Sequence, residues 1–139
     1  MSANEVTVPG WPVPKGYANG RFGHGRVVHV GGQIGWNTEG QFPERTLTDP
    51  KFVEQFAQTL DNVLAVVKAA GGKAEDIAEM TVFVVDMPLY RRSRKELAAV
   101  WRERLGKHFP AMALLGVREL FEEKALVEIQ AVAYIGDVE

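Results

Sequence analysis

Cysteine is absent from the 139 residues, which excludes disulfides and thiolate chemistry. Histidine is scarce: the three present, His24, His29 and His108, lack the close spacing that would set two ligands on one element, so no metal site and no cofactor are expected. No apolar run approaches the length of a membrane span. The N-terminal residues Met1-Ser2-Ala3-Asn4-Glu5 carry neither the basic flank nor the apolar segment of a secretory signal, so the expected location is cytoplasmic. Charge of either sign is nearly balanced. A net charge of −2 and a pI near 5.9 give no global attraction to nucleic acid or to anionic lipid.

What is present is apolar: 46% of the residues, in a chain of 15.4 kDa, suffice for one domain built on one core across residues 1–139. Pro9, Pro12 and Pro14 with Gly10 and Gly16 predict an irregular N-terminal arm over residues 1–16. Residues 21–34 read as a hairpin with its turn at Gly23 and Gly25. Gly31 and Gly32 then interrupt the second strand, as a bulge or a close approach of another group would require. Residues 36–49 read as a loop.

The clearest helix follows. Thr48 or Asp49 can cap it, Pro50 suits its first position and Gly71-Gly72 stops it, while Phe52, Phe56, Leu60, Val63, Leu64 and Val67 recur at helical spacing. Residues 77–85 are β-rich. A second helix is predicted over residues 89–105 with Tyr90, Leu97, Val100, Trp101 and Leu105 inward, ended by Gly106. Residues 111–117 and 125–134 supply the last two strands. The order is that of a mixed α+β fold, with two helices covering one face of a five- or six-stranded sheet.

The last strand holds the main chemical signal. In Ala125-Leu126-Val127-Glu128-Ile129-Gln130-Ala131-Val132-Ala133, alternation puts Leu126, Glu128, Gln130 and Val132 on one face, and only alanine, valine and isoleucine on the other. A face that carries Phe83, Val85, Leu126 and Val132 without helices to cover it is costly to leave wet, at about 25 cal/mol per Å² of apolar area. Self-association is the simplest remedy. It would draw Glu128 and Gln130 to an interface, where a carboxylate must be hydrogen-bonded, paired or used.

Other chemistries are weaker. Gly31-Gly32-Gln33-Ile34-Gly35 does not open a helix, as a phosphate-cradling loop would. Ser93 lies among Arg91, Arg92, Arg94 and Lys95 without an elbow motif or a nearby histidine, which predicts solvent exposure rather than a nucleophile. That basic run continues through Arg102, Arg104 and Lys107, but Glu96 and Glu103 break it and no aromatic residues alternate with it as stacking platforms. A solvated helix face is the expectation.

Taken together, Val30-Gly31-Gly32-Gln33-Ile34, Thr81-Val82-Phe83-Val84-Val85-Asp86, Phe109-Pro110-Ala111 and Leu126-Val127-Glu128-Ile129-Gln130-Ala131 resemble the RidA/YjgF family, also known as endoribonuclease L-PSP, over residues 16–135. The resemblance implies a chorismate-mutase-like α+β fold and a homotrimer whose sheets form a central β-barrel with ligand clefts between subunits. It also implies a cofactor-free hydrolysis of enamines and imines, such as 2-aminoacrylate, to 2-keto acids and ammonia. By position, Glu128 resembles the catalytic residue that orients water, and Tyr17 resembles a tyrosine at the cleft rim. Gly31, Gly32 and Gln33 match a Ser-Gly-Gln segment in which Gly31 replaces a frequent serine, and Ala113 and Leu114 match a substrate-contacting strand edge. Gln130 shares the face of Glu128.

Met112 is the departure. It stands where the deaminase branch places an arginine that clamps the substrate carboxylate, a contact that a thioether cannot make. Arg21 and Arg118 are the candidate substitutes. The sequence therefore predicts a trimeric protein acting on or binding a small metabolite, with imine or enamine hydrolysis directed at a substrate other than 2-aminoacrylate. A non-catalytic metabolite-binding or interaction protein is the alternative, and an RNA-associated factor the third reading.

Overall fold

The computed structural model describes residues 3–136. In chain order the elements are β1 (Asn4–Glu5), β2 (Arg21–Phe22), β3 (Arg26–Ile34), α1 (Phe52–Ala69), a 3₁₀ turn (Ala74–Asp76), β4 (Ile77–Val84), α2 (Met87–Arg92), α3 (Arg94–Leu105), β5 (Ala111–Gly116) and β6 (Val127–Ile135). The main sheet has the order β3-β6-β4-β5, with β4 and β5 parallel and the other pairs antiparallel. It is a mixed α+β fold. The sheet has four strands rather than five or six, because β2 pairs with β1 in a separate ribbon instead of forming a hairpin with β3.

That ribbon also corrects the irregular arm. Of the arm's residues 1–16, Met1 and Ser2 lie outside the described residues. Asn4 and Glu5 pair with Phe22 and Arg21, and Ala3 is buried. The Arg21 guanidinium fastens the segment by donating to the carbonyls of Ala3 and Phe109, each at 2.7 Å. A guanidinium engaged on two main-chain carbonyls is a structural clip, and this removes Arg21 as a substitute substrate anchor.

The helix α1 buries Phe52, Phe56, Leu60, Val63 and Val67 as their spacing predicts. Its start differs from expectation. Asp49 spends one carboxylate oxygen on the Lys51 N–H at 2.8 Å and closes a turn with Thr46, so helical geometry begins only at Phe52. Lys51 itself stands at φ 61°, ψ 36°, the left-handed region that costs a non-glycine residue roughly 1 kcal/mol. The buried face also holds two polar residues that apolar spacing does not reveal. Gln55, fully buried, donates to the Lys124 carbonyl and accepts from the Leu126 N–H, so one amide stands in for a backbone rung and holds the segment leading into β6. Thr59 turns its hydroxyl back to the Gln55 carbonyl.

The second predicted helix is two. Asp86 caps α2 through the Leu89 N–H, with Pro88 in the first turn, and Ser93 breaks the run at φ −98°, ψ 5°. Ser93 is buried, not solvent-facing, and its hydroxyl donates to the Leu89 carbonyl at 2.9 Å. This local hydrogen bond competes with the helix ladder. Leu97, Trp101 and Leu105 of α3 join α1 and the inward residues of the sheet in one core. Leu126 precedes β6 and packs against that core too, so it leaves the opposite face to Glu128, Gln130 and Val132. Among the described residues no helix is long and apolar enough to cross a membrane.

Candidate functional site

Glu128 is placed by β6, opposite Phe83 of β4 and beside the bulge of β3. Val30 pairs with Ala131 and Gln33 with Ile129, so Gly31 and Gly32 together face the single residue Gln130. Such a bulge bends the strand and opens its ladder. Gln33 stabilises it by donating its side-chain N–H to the Gly31 carbonyl at 3.2 Å. The two glycines differ in what surrounds them. A β-carbon on Gly31 would meet open space, whereas one on Gly32 would overlap Glu128 Oε2 and stand 2.8 Å from Glu128 Cδ. The carboxylate therefore rests directly on the backbone of Gly32. Among the described residues it makes no hydrogen bond or ion pair. On the same face, Gln130 borders a depression of about 280 Å³ shared with His29, Glu79 and Thr81. Glu79 is a second carboxylate on this surface that the sequence reading did not single out.

Met112 lies elsewhere. Register pairs it with Met80 and Leu114 with Val82, both on the helix-covered face, while Ala113 pairs with Thr81 on the open one. Tyr17, Met112 and Leu114 line a cleft of about 480 Å³ between β5, α3 and the residues before β2. Its walls are apolar and aromatic. Trp101 stacks on Phe109 with ring centroids 5.7 Å apart and 6° between planes, and Phe56 meets Tyr90 edge-on at 6.2 Å. Burial pushes the Tyr90 phenol above its ordinary value, with nearby Arg94 opposing the shift.

The predicted site residues thus form two groups in one chain. Gly31, Gly32, Glu128 and Gln130 lie on or beside the open face, with Gln33 opposite Ile129 at the end of the bulge, whereas Tyr17, Met112 and Leu114 line the cleft on the helix side. A sheet stands between them. Of the remaining candidates, Arg118 is exposed beyond β5 and lines neither place. His108 is occupied structurally: its Nε2–H donates to the Ile77 carbonyl at 2.7 Å, and burial holds its pKa below the ordinary histidine value. Among the described residues no three His, Cys, Asp or Glu side chains gather as metal ligands.

The charged residues of the cleft are Lys15, Arg94 and Arg102, without a carboxylate among its lining. The sequence reading put both arginines on a solvated face. The signal was present, however: Arg94, Ala98 and Arg102 repeat at i, i+4 and i+8, alongside the buried Leu97–Trp101 stripe.

Comparison with known proteins agrees with this architecture. The family model described as endoribonuclease L-PSP matches residues 13–135. A RutC family protein of Aquifex aeolicus is 31% identical over 129 residues, covering 93% of this chain and 97% of the relative. The 2-iminobutanoate/2-iminopropanoate deaminase of Escherichia coli K12 is 34% identical over 109 residues, covering 78% and 80%. Among solved structures, a Rid-family protein of unknown function from Yersinia pestis superposes with a TM-score of 0.80 at 24% identity, covering 97% of this chain and all of that one. The chain belongs to the endoribonuclease L-PSP family, the RidA/YjgF proteins, and has their chorismate-mutase-like fold.

Proposed function

We propose that this protein is a homotrimeric imine or enamine hydrolase whose cleft is assembled between subunits, with Glu128 of one copy facing the Tyr17–Met112 edge of the next. The observation that carries the reading is the Glu128 carboxylate, held against Gly32 on rigid strands without a partner among the described residues. A group so placed can take a proton from water as the oxygen adds to an imine carbon. The carboxyl passes that proton to the imine nitrogen, giving a neutral carbinolamine, and transfer of the hydroxyl proton to the amine then breaks the C–N bond and releases ammonia and a carbonyl compound; an enamine first takes a proton at carbon to become the imine. The names of the deaminase relatives support the reaction class, and Met112 supports a substrate other than 2-aminoacrylate. The apolar open face, with Val27 50% and Leu115 45% exposed, supports association.

The test combines mass and turnover. Light scattering is expected to give three times the 15.4 kDa chain mass, and Glu128→Gln should keep that mass while abolishing ammonia release. A monomer at micromolar concentration, or full turnover by the variant, would overturn the reading. A non-catalytic binder would bind ligand without Glu128-dependent ammonia release. An RNA-associated factor would instead show binding that falls steeply with salt.

A further inference from the structure

We infer that the cleft beneath β5 binds monocarboxylates that carry a bulky apolar group, with Arg94 and Arg102 of α3 supplying the anionic anchor that Met112 cannot. The inference deepens the proposed function and rests on it for the identity of the cleft as a substrate site.

The disposition of the arginines is the first argument. Arg104 is tied to Asp61 across α1 and α3 at 2.7 Å, and Arg45 donates to the Lys124 carbonyl. Arg21, as described, is clipped to two carbonyls. By contrast, Arg94 makes one long contact, 3.2 Å, to the carbonyl of Arg91 in the preceding turn. Arg102 has no partner among the described residues, and neither has Lys15. Three cations therefore rim one cleft without a carboxylate to neutralise them, in a protein whose net charge is −2. A guanidinium offers a carboxylate two parallel N–H donors, and Arg94 and Arg102, about 12 Å apart along the axis of α3, set such a fork at two points of one rim.

The interior supplies the second argument. Below the rim, the walls are the rings of Phe56, Trp101 and Phe109 with Leu97 and the Met112 thioether. About 480 Å³ lies within the range of sites that hold drug-sized ligands, roughly 300–1,000 Å³, and far exceeds what a three-carbon acid fills. An arginine at position 112 would put a guanidinium into this space. Methionine leaves it apolar and adaptable. The anchor has in effect moved from the strand to the opposing helix, and the vacated volume accepts a larger side chain.

Calorimetric titration of the intact protein tests the inference with three probes: 2-oxo-4-phenylbutanoate, pyruvate, and 4-phenyl-2-butanone, which lacks the carboxylate. The phenyl acid should bind about tenfold or more tightly than either of the others. Arg94→Gln combined with Arg102→Gln should weaken the phenyl acid about tenfold and leave the ketone unchanged; both positions are exposed, so the fold is not at stake. Raised salt should reproduce the effect in the unmodified protein. Equal affinity for acid and ketone, or an acid affinity indifferent to the double substitution, would overturn the inference. Ammonia release from imines generated in situ by an amino acid oxidase from alanine and from homophenylalanine separates the two failures. Tight binding without Glu128-dependent release retains the anchor and removes the hydrolase. Release from the alanine imine without phenyl-acid binding does the reverse.

Discussion

On the helix-covered face of the sheet, Met80, Val82, Val84, Val127 and Ile129 are at most 2% exposed, whereas the same strands turn Glu79, Thr81, Phe83, Glu128 and Gln130 toward the uncovered side. The first face closes within one chain. Leu60, Val63 and Val67 of α1 fill it. The second face keeps exposed apolar groups and a carboxylate without a partner among the described residues, a combination that costs free energy unless another surface meets it. In the proposed assembly the Glu128 carboxylate and the core that stabilises the chain are thus separated by the thickness of one sheet. Substitutions on the two faces should have effects that hardly overlap.

The largest effect is expected at Glu128. Its replacement by glutamine should lower ammonia release by about a hundredfold or more, as removal of a proton-accepting group does, with little change in melting temperature. Stopped or end-point ammonia assays read the first quantity and calorimetry the second. A large loss of stability would place Glu128 with the structural residues and erase the contrast between faces.

Next come paired substitutions, one on each face. Leu60→Ala leaves a cavity in the core and should cost about 2–5 kcal/mol in denaturant unfolding. Leu115→Asp, beside Phe83 on the open face, should instead reduce the mass in light scattering to that of one chain while leaving the far-ultraviolet dichroism intact. If Leu115→Asp unfolds the protein, the open face contributes to the fold of the single chain and the separation fails.

Within the open face, Gly31 and Gly32 provide a finer comparison. Gly32→Ala must push the Glu128 carboxylate aside and should lower kcat about tenfold to a hundredfold through misplacement alone. Gly31→Ser enters open space and should stay within about twofold. Equal effects would show that the carboxylate does not work from its place above Gly32. Across the sheet, Met112→Arg restores a charge-assisted donor and should raise kcat/KM for small 2-imino acids about tenfold. Unchanged kinetics there would argue against Met112 as the specificity position.

The smallest effect concerns pH. Because His108 is held below its unfolded pKa by burial, the unfolded chain takes up its proton first as pH falls. The stability tied to neutral His108 should be complete above the ordinary value of 6.5 and decline as pH drops below it toward the folded value. His108→Gln, which can still donate to Ile77, should flatten that part of the melting-temperature profile. An unaltered profile would assign the acid sensitivity to other groups.

Much of this was legible beforehand. The period of Phe52, Phe56, Leu60, Val63 and Val67 and the alternation of Val127 to Ala133 each report a face directly, since both follow from local geometry. What stayed hidden depends on partners distant in sequence. Gln55 reads as a polar intruder until Lys124 and Leu126 arrive beside it. Arg21 and Phe22 read as half of a hairpin because their true partners, Glu5 and Asn4, lie in a proline-rich arm. Alternation gives Glu128 and Met112 a face each on their own strands, but only the register through β4 shows that the two faces differ. The basic run concealed Arg94 and Arg102 for another reason: composition averages over the helix, whereas the cleft selects one stripe of it.

Because Glu128 and Met112 occupy opposite sides of one sheet, a chain in the proposed assembly gives its carboxylate to one neighbour and its cleft edge to the other. Two different dead chains could then rescue each other. If equal amounts of a chain inactivated at Glu128 and a chain inactivated at the Met112 edge were unfolded and reassembled together, about a quarter of the clefts would join two intact halves. A site built within one chain would recover nothing. Complementation between null alleles would be the genetic trace of a division laid down by the pleat of β5 and β6.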